Sequence, residues 1–541
     1  MPQAHRSLTK QGKATALFCQ VQKTVGQGIK IKDTRLAVLN LNSSAKGGHR
    51  DCQLYTINCQ LPLKVVFHLD FSIHQALSTH NAISFHMPGH KRRALFALDL
   101  PWHLDVTEIA GFDNLHAPQG LLADAQARAA QFFGSKSAYF LVNGSTGGIL
   151  AGIYACTQAG DKILIARNCH KSVYHAIELL NLRPVYLEPA QGLDFCGSIG
   201  DDVAQVLEQH PDIRLVVITS PTYEGVISPV SSFAPLLRRR KIPLLVDQAH
   251  GAHLGITRLD GSTYANAITQ GADIVVHSLH KTLPGLTQTA IAHLQGGLVD
   301  SARFQHALSI FQSSSPSYPL LASIDGCVTY LREHGEKAFA AWQKNLDDFY
   351  KTTDRLQHLR LFDTTDNHRH NCHSIAKHDF TKLLILCNGT SMSGTELSLI
   401  LRKKYNIELE LAHSNYALAM TSPCTTAEDL RHLAQALLEI DKTCTPVPPR
   451  PIISLPPMPE SVMPIAAALN APGKFAAMRD SIGKIAQTYL WCHPPGIPLL
   501  IPGQRVTADV VDAVHALQKQ GIIIHSTKPA APGQLAIADG C

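Results

Sequence analysis

From residue 138 onward the chain alternates two kinds of segment. Short, almost continuous apolar runs occur at AYFLVNG (138–144), KILIAR (162–167), RLVVITSP (214–221), IPLLVDQAH (242–250) and ADIVVHS (272–278). Stretches of helical length separate them, at 146–158, 171–181, 201–209, 231–240 and 262–270. An apolar run without alternation predicts a strand buried on both faces, the condition of a parallel sheet between layers of helix. Strand–helix alternation then predicts an α/β domain with a mainly parallel sheet. Ligands in such sheets bind at the carboxyl ends of the strands. Polar residues gather there: Asn143–Thr146, Asn168–His170, Pro221–Tyr223, Asp247 with His250, and Ser278–Lys281.

Further along, FTKLLILCNG (380–389) and IELELAHSNYALAMTS (407–422) read as strands around a helix at 394–404, a smaller α+β subdomain. The proline-rich TPVPPRPIISLPPMPE (445–460) reads as a linker or a strap along the surface. Residues 461–541 form a compact α+β tail with two expected helices. The expected division is therefore 1–70 as an extension, 71–325 as a large domain, 326–444 as a subdomain, 445–460 as a linker and 461–541 as a C-terminal domain.

Composition narrows the function classes. A chain of 541 residues with 45% hydrophobic and 17% charged residues is globular and long enough for several domains. A net charge of +6 is mild for this length and gives little support to a nucleic-acid partner. No apolar run is long enough for a bilayer, so a membrane role is not expected. Thirteen cysteines without a CxxC pair fit reduced thiols in a cytoplasmic enzyme better than a disulfide framework. HRHNCH (His368, His370, Cys372, His373) lacks zinc-ligand spacing and reads as a polar loop, so no metal is expected. Residues 1–32 carry six Lys/Arg and no acid, without the apolar core of a secretory signal.

The strand ends hold candidate chemistry. VNGSTGGILAG (142–152) sets Gly144, Ser145 and Thr146 between a strand and a helix, where exposed N–H groups and hydroxyls suit a phosphate. Tight packing explains the same glycines equally well. Asp247 ends a buried run; it caps a turn or pairs with a cation such as a protonated ring nitrogen. His170, His250 and His280 are hydrogen-bonding residues or flat groups beside a ring. Lys281, 34 residues after Asp247, is a surface cation or an amine whose burial fits it for a Schiff base. Each part alone is ordinary. Together they follow one another on successive strand ends.

With these residues in place, the chain resembles the Orn/Lys/Arg decarboxylases, in their short bacterial form, with the aminotransferase-like (fold type I) pyridoxal phosphate fold. The matching stretches include FHMPGHKR (85–92), DVTEIAGFDNLHAPQG (105–120), AQARAAQFFGSKSAYFLVNGSTGG (125–148), ARNCHKS (166–172), SPTYEG (220–225), VDQAHGAHLG (246–255), HSLHKTLPGLTQTA (277–290), SPSYPLLASID (315–325) and HPPGIPLLIPG (493–503). The resemblance covers roughly residues 71–541 and implies pyridoxal 5'-phosphate as cofactor. It implies that Lys281 forms the Schiff base, Asp247 pairs with the pyridine nitrogen and His170 stacks on the ring. Ala249 and His250 would line the other face. Gly144, Ser145, Thr146, Ser278 and His280 would hold the phosphate. The implied reaction is decarboxylation of a basic L-amino acid to a polyamine precursor, with a slight lean to arginine over lysine or ornithine. A cytoplasmic homodimer or larger homo-oligomer is implied, with FHMPGHKR and SPSYPLL at the interface.

The chain departs from the family pattern at Gln119, Gln248 and Gln504, where glutamate is expected, and at Ala110, where proline is expected. Near the substrate tail, neutral amides would imply a less basic substrate or reduced activity. Away from it they would mean little, since Glu108, Asp113 and Glu224 remain as acids. Two other functions stay open at this level. One is a different reaction on the same fold, such as transamination. The other is a non-catalytic regulatory homologue, against which the intact Lys281, Asp247 and His170 argue.

Overall fold

A computed structural model describes residues 72–79, 100–190, 195–200, 202–256, 264–362, 377–452, 455–493, 497–528, 531 and 533–539. The 1–70 extension, FHMPGHKR and HRHNCH lie outside the described residues; the first described element is α1, a helix at Ser72–Thr79.

The apolar runs form the centre of a seven-stranded sheet. After α2 (Leu121–Phe133), its elements follow as β1 (Ser137–Leu141), α3 (Gly144–Cys156), β2 (Lys162–Ala166), α4 (Lys171–Leu179), β3 (Arg183–Leu187), α5 (Val203–Gln209) and β4 (Ile213–Thr219). Then come α6 (Val230–Arg239), β5 (Leu244–Asp247), β6 (Ile274–Ser278), the single turn α7 (Leu279–Thr282) and β7 (Ala290–Leu294). The order across the sheet is β1-β7-β6-β5-β4-β2-β3. Strands β3, β2, β4, β5 and β6 run parallel, and β7 runs antiparallel to both β6 and β1. All residues of β5 and β6 are buried, as continuous apolar runs require.

Two strands and one helix differ from the sequence reading. RPVYL opens with a charge and a proline and sits at the sheet edge as β3, so it lacks the buried-run signature. AIAHL is buried as β7, but its two small alanines carry a weak strand signal. The expected helix at 262–270 is not formed over its described part, where 264–270 makes turns closed by the Asn266 side chain. The outer side of edge strand β1 is capped by glutamines. Gln295, Gln126 and Gln312 accept the N–H groups of Lys136, Phe140 and Val142, which leaves less open edge for another strand.

Helix α3 lies close on the sheet because it carries glycine there. A Cβ on Gly148 would meet Leu141 Cδ1 at 2.6 Å, and one on Gly152 would meet Leu245 Cδ1 at 2.5 Å. After α8 (Ser301–Phe311), the 36-residue α9 (Tyr318–Thr353) runs through the expected 325/326 boundary and ties the two regions together. Its buried Asp325 pairs with Arg128 of α2 at 2.7 Å. Among the described residues the subdomain's main sheet has four strands: β8 (Arg360–Leu361), β9 (Lys382–Leu386), β10 (Leu411–Ala412) and β11 (Tyr416–Met420). Its helices α10 (Gly394–Tyr405) and α11 (Ala427–Asp441) each begin in a capping box, Ser393 with Glu396 and Thr426 with Asp429.

The proline-rich tract is held to the body. Arg450 N–H donates to Asn388 Oδ1, and Pro456 C=O accepts from the buried Arg167 guanidinium. Beyond it lie α12 (Ile465–Asn470), β12 (Gly473–Ala477), β13 (Leu490–His493), β14 (Ile497–Leu500), α13 (Ala508–Lys519), β15 (Ile523–Ser526) and β16 (Gln534–Ala538). This region has its own apolar cluster, built on residues such as Leu499, Val510, Val514 and Ile537. Among the described residues no helix is long and apolar enough to cross a membrane.

Candidate active site

The strand ends open into a cavity of about 560 Å³. Ser145, His170, Asp247, Ala249, His250 and Lys281 all line it. Gly144, Thr146, Ser278 and His280 do not form its wall. Gly144 has φ +68 at the start of α3, a conformation that favours glycine. Thr146 is exposed, and Ser278 is fully buried at the end of β6. His280 Nδ1 is 2.9 Å from Thr289 C=O.

Lys281 sits in α7, one turn past β6, with Nζ 3.0 Å from His250 Nε2. Burial lowers the Lys281 pKa, against the opposing pull of Asp247 and Glu410. Burial also holds His250 well below its ordinary value, and the Lys281 charge adds to that, so the imidazole is neutral. Asp247 ends β5 and accepts the Ala249 N–H at 3.1 Å. Burial raises its pKa, while Lys281 draws it down. His170 caps α4: its Nδ1 accepts the Ser172 N–H at 3.3 Å and lies 2.8 Å from Ser172 Oγ. Burial lowers His170 to about 4, so it too is a neutral, fixed ring.

These residues fit the expected cofactor. Among the described residues, the buried Asn168 Oδ1, Thr219 Oγ1, Ser278 Oγ and His250 Nδ1 have no hydrogen-bond partner. All lie at or just beyond strand ends, where a polar ring with a phosphate would find donors and acceptors. A protonated ring nitrogen would give the buried Asp247 carboxylate a countercharge.

The glutamines are resolved by their contacts, and none of the three lines this cavity. Gln248 Oε1 accepts the Ala267 N–H at 3.0 Å and lies 3.1 Å from His277 Nε2. Gln504 Oε1 accepts the Ile501 N–H at 2.9 Å. Gln119 is exposed, and its N–H donates to Asp113 Oδ1 at 3.0 Å. Ala110 is an exposed turn residue. Of the acids left in play, Asp113 fastens the backbone ahead of α2, accepting from Gly120 and Leu122 N–H. Glu108 is not in the wall, whereas Glu224 is.

Residues with no role assigned from the sequence also lie in or near the site. Tyr223 packs its ring 4.4 Å from that of His250 and donates its hydroxyl to Glu410. Lys382, the first residue of β9, is fully buried, and its Nζ has no hydrogen-bond partner among the described residues. Trp491, Ile497 and His525–Thr527 bring the C-terminal region into the wall. They lie hundreds of residues from the strand ends; Ile497 falls in the HPPGIPLLIPG stretch, whereas no local pattern marks Trp491 or His525–Thr527.

The family model for the Orn/Lys/Arg decarboxylase major domain matches residues 72–428. The uncharacterized protein YaaO of Bacillus subtilis is 33% identical over 473 residues, which cover 82% of this chain and 94% of that protein. An arginine decarboxylase of Bacillus subtilis is 30% identical over 445 residues, which cover 80% of this chain and 90% of that protein. Among solved structures, the Francisella novicida lysine decarboxylase LdcF superposes with a TM-score of 0.71 at 18% identity, over 86% of this chain and 80% of that one.

Proposed function

The chain belongs to the Orn/Lys/Arg decarboxylase family, and from that premise we propose that it removes CO₂ from L-arginine to give agmatine, a polyamine precursor. It is a pyridoxal phosphate-dependent amino acid decarboxylase. The preference for arginine over lysine or ornithine is supported by the likeness to the Bacillus subtilis arginine decarboxylase, which extends over most of both chains.

The observation that carries the residue roles is the Lys281 Nζ–His250 Nε2 contact of 3.0 Å, in the cavity that Asp247 also lines. Bound pyridoxal phosphate supplies the electron sink for the bonding pair left behind by CO₂. Lys281 would hold the cofactor at its aldehyde carbon and give way to the substrate α-amine. Its burial keeps the amine easier to deprotonate than a surface lysine. The neutral His250 Nε2 keeps a proton released from Lys281 Nζ within one hydrogen bond of it. Asp247 would hold a proton on the ring nitrogen. His170, fixed by Ser172, would lie flat against the ring. Ala249 and His250 would line its other face. Gly144, Ser145, Thr146, Ser278 and His280 would hold the phosphate; the Ser278 hydroxyl is buried and unpartnered among the described residues. A cytoplasmic homodimer or larger homo-oligomer belongs to the same reading.

Mass spectrometry of products tests this. The purified protein is incubated with pyridoxal phosphate in an equimolar mixture of arginine, lysine and ornithine. Agmatine as the main product is the expected result. Cadaverine or putrescine as the main product moves the assignment to lysine or ornithine. No amine from any of the three sinks the reading.

A further inference from the structure

The cavity wall comes from two parts of the fold. One is the set of strand ends around Lys281. The other joins the Thr222–Glu224 loop after β4 to Trp491 of β13, Ile497 of β14 and His525 of β15. Trp491 and His525 are register partners in the antiparallel pair β13–β15, so they present side by side. Only two carboxyl groups line the cavity among the described residues, Asp247 and Glu224. Asp247 is the partner of the cofactor ring in the reading above, on which this inference rests. Glu224 has no such task.

Glu224 is nearly fully buried, at 2% exposure. Its Oε1 accepts the Tyr416 hydroxyl at 3.0 Å, and its backbone C=O faces His378 Nε2 at 2.8 Å. No Lys, Arg or His pairs with its carboxyl group among the described residues. A hydroxyl donor satisfies part of a carboxylate, which has about four acceptor sites. A buried carboxylate without a countercharge is costly, and burial raises the Glu224 pKa accordingly. Burial raises the thiols of Cys196 and Cys492, and the Glu224 charge adds to both. The Trp491 indole is held stacked on Tyr489 at 5.0 Å and edge-on to Tyr174 at 5.4 Å. The carboxyl group and the indole line the same cavity, and a carboxylate together with a fixed indole is the pairing that selects a guanidinium or an ammonium.

We infer that Glu224, with Trp491, receives the cationic end of the substrate's side chain and is the residue that restricts the enzyme to basic amino acids. The rival role is structural, to anchor the hydroxyls of Tyr416 and Thr222. Glu224→Gln keeps an oxygen for the Tyr416 hydroxyl and removes the charge, so it separates the two.

The test is a binding titration, read from the absorbance of the bound cofactor. Holoenzyme is titrated with arginine and with citrulline, its neutral near-isostere. In E224Q the affinity for arginine should fall about 10- to 100-fold, the loss of one charge-assisted hydrogen bond. The affinity for citrulline should stay as in the wild type. Equal loss for both ligands, or loss for neither, overturns the inference. Trp491→Leu, titrated in the same way, should weaken arginine selectively by about 3- to 10-fold; it decides the matter if E224Q does not hold the cofactor, and equal loss for both ligands again overturns it. A wild-type enzyme that neither binds nor decarboxylates arginine, lysine or ornithine removes the decarboxylase reading and this inference with it, before any variant is made.

Discussion

Lys382 is a cation in a place that disfavours charge. Burial lowers its pKa from 10.5 to about 8, against the pull of Asp379, while the nearby Lys281 lowers it further. Asp379 is already engaged with His253 at 3.1 Å, both fully buried, and Glu410 also draws on Lys382. The sign of the stability effect follows from proton counting. Between pH 8 and 10.5 the unfolded chain binds this proton and the native chain does not, so stability rises with pH across that window. Below it both states are charged, and the native state carries the whole penalty, about 3 kcal/mol at most. Lys382→Met should therefore raise Tm at pH 7, with the gap to wild type closing as pH rises from 8 to 10.5. Thermal melts over that range check it; two proteins whose Tm values follow pH in parallel would contradict it.

Helix α10 shows how a glycine fixes the place of an element. A Cβ on Gly394 would run into the backbone carbonyls of Tyr416 and His413. Backbone cannot swing aside as a side-chain tip can, so Gly394→Ala should cost about 2 kcal/mol or more. Gly152→Ala, which meets the tips of Leu245 and Ile274, should cost less. Urea unfolding of both variants gives the ranking, and the reverse order would refute it. The same scale explains what the sequence made legible. The strands β2, β4, β5 and β6 announce themselves because burial on both faces leaves an unbroken apolar run, and their polar ends mark the cavity. Strands β3 and β7 lack that run. Trp491 reaches the cavity wall, and Glu410 and Lys382 come near Lys281, only through tertiary packing, so nothing near them in the chain distinguishes them. The question raised by the glutamines needed contacts: Gln248 and Gln504 hold backbone N–H groups.

Among the described residues, separate regions of the fold meet at the cavity around Lys281. The large sheet gives Asp247 and Lys281, and the C-terminal region gives Trp491 and His525. Gln520, just past α13, accepts the Ser414 hydroxyl at 2.7 Å and keeps that region on the subdomain. A ligand that bridges these walls stabilises all of them together. Removing pyridoxal phosphate should lower Tm, and restoring it at a hundredfold excess over its Kd should return about 2.7 kcal/mol. Identical melts with and without the cofactor would speak against a cavity that holds it. The most direct measurement concerns Lys281 itself. The holoenzyme is reduced with borohydride, digested and mapped by peptide mass spectrometry. The cofactor should be found on Lys281 alone, and Lys281→Ala should carry none. A label on Lys382 or another lysine, or no label on the wild type, would contradict the account.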